Sequence, residues 1–385
     1  MSKLDFVVVP LSGIDQNVVH NVGITFGYVV KAVDVAALQK AAQHTADKWR
    51  LLAGRVEWDA ARKTYQVRVP VSKSLPEDYA SIKFTTTEFP SFSLNLTSLD
   101  EDSRQILDRP PLKYFRARTT PSSLNAYAAK RFPLMAIHVS LLQNCTCVGI
   151  SFPHGVFDAI GMAWQSAGAS QFNDGACSSN NHELLSLWLS IAFEMLWHRS
   201  TTRAVHLGPR TVEHIMVRMT KESEESGKPL VSKGDMLIAW LLKISINSVF
   251  SMRQILSEIN PEFEQYPHNA YTPIALPLID IRSLSSMSLY ELALLIGWGI
   301  VPLRRRKLDS WLFSNQVLSG IETLDLGSGQ LGLWFWGTPV LPDHSVTINK
   351  FRDGGYLVEA CVRASRWRAI EKALERMEGG LDPFV

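Results

Sequence analysis

The segment His154-Gly155-Val156-Phe157-Asp158 sets an imidazole and a carboxylate four residues apart, straight after an apolar run. Histidine titrates near pH 6.5, so at neutral pH its ring is mostly uncharged and can accept a proton. A base held against a reacting hydroxyl or amine contributes about 100- to 10,000-fold to a rate. Gly155 carries no side chain, which would let a bulky substrate approach the ring. Asp158 is near enough to turn back and fix the loop. The spacing alone leaves two readings open, because a histidine at a strand end is more often structural than catalytic.

Other candidates are weaker. His138 lies on the strand before the motif strand, where a hydrogen-bonded sheet histidine is the simpler reading. Trp334 and Trp336 alternate, which puts both on one strand face, and core packing is expected of them. The four cysteines, Cys145, Cys147, Cys177 and Cys361, match no zinc or redox-pair spacing, so no metal site is expected. They suit a reduced, intracellular protein.

The elements must hold these residues in place. The 385 residues are 46% hydrophobic and 20% charged, an ordinary globular balance that favours two or three domains. A net charge of +2 gives no electrostatic footprint for nucleic acid. The basic run Arg304-Arg305-Arg306-Lys307 reads as a solvated helix end. The N-terminus shows no signal-peptide pattern, so a cytoplasmic location is expected. The longest apolar stretch, Leu289–Leu303, contains Glu291 and is too short to span a bilayer. It reads as a buried helix, and no membrane partner is expected.

Valine- and aromatic-rich runs predict strands at 6–9, 23–33, 51–58, 64–69, 113–118, 133–142 and 146–152. Asp34 caps a helix expected over 35–49. Residues 72–108 read as loop with short strands. Helical spacing recurs at 157–169, 182–198 and 211–219, and a linker is expected over 221–228. Ser232-Lys233-Gly234-Asp235 forms a capping pattern before an apolar helix. Strands then follow near 249–255 and 271–281, and at 331–336, 345–350 and 356–362, with a last helix over 365–377. The expected organisation is an N-terminal domain over 1–180, a crossover over 181–230 and a C-terminal domain over 231–385.

The pentapeptide resembles the H-x-x-x-D motif of the BAHD acyltransferases, closest to the fungal branch with the trichothecene 3-O-acetyltransferases. Six further segments match in the family's order. Leu51-Leu52-Ala53-Gly54-Arg55 is similar to "L-A-G-R", and Val231-Ser232-Lys233-Gly234-Asp235 to "S-x-x-D". Ser251-Met252-Arg253 stands where the family carries an arginine. His268-Asn269-Ala270 resembles the "G-N-A" turn, and Ser288 to Ala293 the helix after it. Asp325-Leu326-Gly327-Ser328-Gly329 resembles "D-F-G-W-G".

The resemblance implies an α/β fold of two similar domains, each a mixed sheet flanked by helices, as in chloramphenicol acetyltransferase. It implies a channel between the domains and a monomer. It implies acyl-CoA, acetyl-CoA by default, as co-substrate, with no tightly bound cofactor. The acceptor would be a small alcohol of terpenoid or polyketide type. His154 becomes the general base, and Asp158 a structural partner of Arg253. Asp325, Gly327 and Gly329 frame a structural loop. Ser328 replaces the family tryptophan, a candidate oxyanion or substrate contact, and Leu326 replaces phenylalanine. Ser232 and Lys233 are candidate CoA contacts, although the cap reading already accounts for Ser232. The chain is short for the family between the helix at 289 and Asp325, and between the pentapeptide and the capping pattern. The rival reading is therefore a protein of this fold that binds or cyclises a biosynthetic intermediate without acyl transfer. A condensation domain ranks third, since Pro153 stands where that family doubles the histidine.

Overall fold

The computed structural model describes residues 5–12, 15–16, 20–72, 75–76, 78–94, 104–157, 201–244, 249–251, 271–273, 287–297, 312–315, 326, 330–336, 345–351, 354–362 and 364–378. The strands are β1 (Phe6–Pro10), β2 (Gly23–Val30), β3 (Arg55–Asp59), β4 (Thr64–Pro70), β5 (Lys83–Phe89), β6 (Arg104–Asp108), β7 (Ala136–Leu142), β8 (Thr146–Pro153), β9 (Thr201–Leu207), β10 (Val249–Ser251), β11 (Tyr271–Pro273), β12 (Leu312–Asn315), β13 (Gln330–Trp336), β14 (Ser345–Lys350) and β15 (Tyr356–Val362). The helices are α1 (Val35–Lys48), α2 (Leu124–Lys130), α3 (Pro209–Ser226), α4 (Lys233–Ile244), α5 (Leu289–Gly297) and α6 (Ala364–Glu378).

Two five-stranded sheets dominate. The first runs β13-β2-β8-β7-β5 and the second β12-β14-β15-β9-β6. Each is mixed: β5 pairs with β7 and β12 with β14 in parallel, while the other ladders are antiparallel. Each sheet also borrows a strand. β13 comes from late in the chain and joins the first sheet, whereas β6 comes from early in the chain and joins the second. The crossover 181–230 therefore does not separate the two sheets by strand membership.

The alternation of strand residues sorts the cores. Val205, Val346, Ile348, Val358 and Ala360 face outward from the second sheet onto apolar residues of α3, α4, α5 and α6. Ala204 and Leu357, on its other face, join the core built around the first sheet.

Local sequence explains most ends. Asp34 caps α1 by accepting from the Ala37 amide at 3.0 Å. Ser232 accepts from the Asp235 amide at 3.1 Å and donates to its carboxylate at 2.6 Å, which opens α4 as the capping pattern predicted. Ser288 and Glu291 build a reciprocal capping box on α5, with bonds of 3.1 and 2.8 Å.

Three expectations are corrected. Residues 113–118 do not form a strand: Leu112–Tyr114 is a short 3-10 helix. The segment after it lies against β8, where a Cβ on Gly149 would land on the Phe115 carbonyl. Arg116 donates to the carbonyls of Gly23 (3.1 Å) and Pro121, which ties the segment down. Its apolar residues bury Tyr114 and Phe115 without any ladder. The expected linker over 221–228 is mostly helix, since α3 continues to Ser226 and stops at Gly227 with φ 65°. Residues 51–58 split into a 3-10 turn, Arg50–Ala53, and β3.

Candidate active site

β8 and β2 deliver His154. The strands are paired to their last residues, Pro153 opposite Gly23, and the His154 amide donates to the Val22 carbonyl at 2.8 Å. The chain then turns sharply: the amides of Val156 and Phe157 both donate to the Pro153 carbonyl, at 3.0 and 3.2 Å. Phe157 anchors this turn in the core, edge-on to Phe152 with centroids 5.9 Å apart and tilted against Trp49 at 5.7 Å. From Ser151 to Phe157 every residue is buried except His154, which is half-buried.

The tautomer of His154 follows from its partner. Nδ1 lies 3.2 Å from the Phe157 carbonyl oxygen. A carbonyl only accepts, so Nδ1 carries the proton and donates. In the neutral ring this leaves Nε2 with its lone pair free of a proton. The ring of His20, itself fully buried, sits against His154 with centroids 4.7 Å apart and planes tilted by 55°.

Gly155 has a reason other than substrate access. A Cβ there would come within 2.7 Å of the Asp15 carbonyl oxygen and 3.0 Å of the Leu124 side chain. The missing side chain thus admits the backbone of residue 15. That segment is itself tied. The Asp15 carboxylate accepts from the Ser12 amide and hydroxyl at 2.9 and 2.7 Å. Gln16 reaches the Leu11 carbonyl and Thr64, and accepts from the Tyr65 amide at 2.7 Å. Sequence reasoning passed over His20 and Asp15. The S-x-x-D spacing at Ser12 was a readable signal for the turn, but nothing local marks His20 as a neighbour of His154.

The other sequence candidates divide. Ser232 is committed to its helix cap, and Lys233, next to it, is exposed. His138 is a satisfied sheet histidine, with Nδ1 2.8 Å from the Thr85 hydroxyl and Nε2 3.2 Å from that of Ser140. Its burial pushes the ring's pKa down. Arg55 of the L-A-G-R segment donates to the carbonyls of Ala53, Gly54 and Ala80, which makes it a local clamp. Asp158, Arg253, His268, Arg304 to Lys307, Asp325, Gly327, Ser328 and Gly329 lie outside the described residues. Leu326 packs on the first core. Gln330 stands opposite Val30, which pairs with Thr146, so it begins β13 at the far end of the sheet from His154. Along β8, from Thr146 to His154, that separation is roughly 26 Å at about 3.3 Å per residue. Among the described residues no cluster of side chains suits a metal ion, and no helix is long and apolar enough to cross a membrane.

The fold of this chain recurs in solved structures. The F. sporotrichioides TRI101 structure with coenzyme A and T-2 superposes with a TM-score of 0.62 at 10% identity, covering 97% of this chain and 98% of that one. Vinorine synthase gives 0.57 at 12% identity, over 95% and 96% of the two chains. The chain has the fold of the BAHD acyltransferases. A condensation domain of the calcium-dependent antibiotic synthetase shares it, with a TM-score of 0.57 at 14% identity over 98% and 97%. No protein-family profile matches the chain. Among curated proteins, acetyltransferase pyiB of Pyricularia grisea is 25% identical over 284 residues, 60% of this chain and 55% of pyiB. Acetyltransferase BOT5 of Botryotinia fuckeliana is 22% identical over 297 residues, 63% and 54% of the two chains. The chain thus spans about half the length of the curated relatives it matches. The resemblance read from the sequence, to fungal acyltransferases of this fold, is borne out.

Proposed function

We propose that the protein transfers an acyl group, by default acetyl, from CoA to a hydroxyl of a small secondary metabolite of terpenoid or polyketide type. The observation that carries this reading is the contact of His154 Nδ1 with the Phe157 carbonyl, 3.2 Å away. Nδ1 is committed to that carbonyl, so Nε2 is the basic atom on the one half-exposed residue of the turn.

The chemistry follows. Nε2 removes the proton of the acceptor hydroxyl as its oxygen attacks the thioester carbonyl. The tetrahedral oxyanion collapses, the C–S bond breaks, and the imidazolium returns its proton to the departing CoA thiolate. The ester and free CoA leave, and His154 is neutral again. The neighbours' own ligands support the substrate classes: TRI101 structures hold coenzyme A with T-2, and in another case with deoxynivalenol. The acetyltransferase names of the two curated relatives support the acetyl group.

Asp158 is assigned an architectural role, paired with Arg253. Asp325, Gly327 and Gly329 are assigned a structural role, with Ser328 among them a candidate oxyanion or substrate contact. Lys233 keeps a role as a CoA contact, while Ser232 acts through its cap. The protein is assigned to the cytosol as a monomer, and the free thiols of Cys145, Cys147 and Cys361 are in keeping with that compartment.

The test is release of free CoA from acetyl-CoA in the presence of terpenoid and polyketide alcohols, deoxynivalenol included. His154→Ala should abolish release, and turnover that survives it would remove the general-base role. Calorimetry with CoA separates the rival without acyl transfer, for which millimolar CoA should give no heat.

A further inference from the structure

We infer that Arg116 is a positioning residue for His154, acting through the backbone on both flanks of the histidine. This rests on the general-base reading, but it concerns a residue to which that reading assigns nothing. The His154 amide donates to the Val22 carbonyl at 2.8 Å, and the other end of that peptide unit, the Gly23 amide, donates to the Ser122 carbonyl at 2.9 Å. Arg116 locks this junction from the side. One guanidinium nitrogen donates to the Gly23 carbonyl at 3.1 Å and the other to the Pro121 carbonyl. The fork thus ties together the two segments that the Gly23–Ser122 bond joins.

The far flank of His154 rests on the same chain. Ser123 caps α2 by accepting from the Ala126 amide at 3.2 Å, and Leu124, the next residue, would lie 3.0 Å from a Cβ on Gly155. Pro153, opposite Gly23, and Gly155, against Leu124, therefore both lie on chain that Arg116 holds. Gly23 makes room for the fork. A Cβ there would come within 2.8 Å of the guanidinium and 2.7 Å of the Pro121 carbonyl oxygen. The cation carries a cost in this place. Arg116 is half-buried, burial pushes its pKa down, and among the described residues no carboxylate pairs with it. An apolar side chain would fill the space without that cost. Only a rigid planar fork holds two carbonyls in register at once. Such precision matters at a catalytic base, where a displacement of about 1 Å can lose about 100-fold in rate.

Three variants of the whole chain separate the fork from its surroundings. Arg116→Met fills the space and loses the fork. Arg116→Lys keeps the charge but, as a point donor, holds one carbonyl at a time. Tyr127→Phe removes a fully buried hydroxyl near the guanidinium and leaves the fork in place. Hydrogen exchange, read amide by amide, reports the junction without reference to activity. In Arg116→Met the His154 and Gly23 amides should exchange faster, while those of β7 keep their wild-type rates. With acetyl-CoA and an accepted alcohol, kcat should fall about 10- to 100-fold with KM unchanged, as for a misplaced catalytic group. Arg116→Lys should fall between the two, and Tyr127→Phe should match wild type in both readouts. Wild-type exchange in both Arg116 variants overturns the inference, and so does faster exchange with an unchanged kcat. Exchange that quickens equally in β7, or a Tyr127→Phe loss as large as that of Arg116→Met, also overturns it, since either makes the effect one of general stability. If Arg116→Met does not fold, Arg116→Lys decides by the same two readouts. Turnover that survives His154→Ala strikes the general-base reading instead, whatever the exchange of the Arg116 variants shows.

Discussion

The two sheets treat buried polar groups differently. On the first sheet they are matched in pairs. Thr25 and Ser151 stand directly opposite on β2 and β8 with hydroxyls 2.8 Å apart, and His138 has a hydroxyl on each nitrogen. On the inner face of the second sheet the matching is looser. Arg109 reaches the Glu359 carboxylate at 3.1 Å, and the backbone register shows how: Ala204, a small residue, lies between Leu107 and Glu359. Glu359 is only 1% exposed and Arg109 is largely buried, with its pKa pushed down by burial and drawn back up by the carboxylate. Asn349, two residues from the β14 partner of Glu359, is also 1% exposed, and neither atom of its amide has a hydrogen-bond partner among the described residues. A matched pair adds rigidity around the site. A buried ion pair, or a buried amide without a partner among the described residues, carries a desolvation cost.

Breaking the ion pair should give the largest effect. Glu359→Ala leaves Arg109 charged among buried groups and should cost about 3–5 kcal/mol in urea unfolding. The double variant Arg109→Met with Glu359→Leu should recover most of that, because the desolvation cost disappears with both charges. A double variant as weak as the single one would show that the pair itself stabilises the strand β6 in its borrowed place.

The matched hydroxyls come next. Thr25→Val strands the Ser151 hydroxyl in the core and should cost about 1–3 kcal/mol, while adding Ser151→Ala should return the protein close to wild type. Additive losses would mean that the two hydroxyls do not depend on each other. Asn349→Leu should move the other way, raising stability by about 1 kcal/mol through loss of an unmatched amide of similar volume. A clear loss in the melting temperature would show that the amide finds a partner in solution.

The smallest effect is a pH slope. Burial lowers the pKa of His138 in the folded protein, so the unfolded chain binds its proton more readily. Stability should therefore fall as pH drops through the unfolded value near 6.5 and continue to fall until the folded group titrates. His138→Gln should flatten that part of the urea midpoint against pH between 7.5 and 5. An unchanged slope would assign it to another group.

Much of this was legible in residues a few positions apart. Asp34 and Ser232 mark helix starts because a cap needs only its own next three residues. Strands β7, β8, β14 and β15 announce themselves by apolar alternation. The errors came where a distant backbone overrode a local pattern. Residues 113–118 alternate like a strand, but the bare Cα of Gly149 gives them a surface to lie on instead. The glycine of the pentapeptide was legible as special, and its reason was not, since the Asp15 carbonyl that crowds it is 140 residues away in sequence.

By itself the sequence determined the chemistry on offer, a histidine at a strand end with an acid four residues on, and the order of helices and strands around it. It did so because proton affinity, capping and side-chain alternation are properties of a residue and its near neighbours. Only the tertiary structure decided that β13 and β6 change places between sheets, and that Nδ1 of His154 is the donor. It also decided that the ring beside His154 belongs to His20. Those depend on which surfaces meet after long loops have closed, and contacts of that kind leave no local pattern to read.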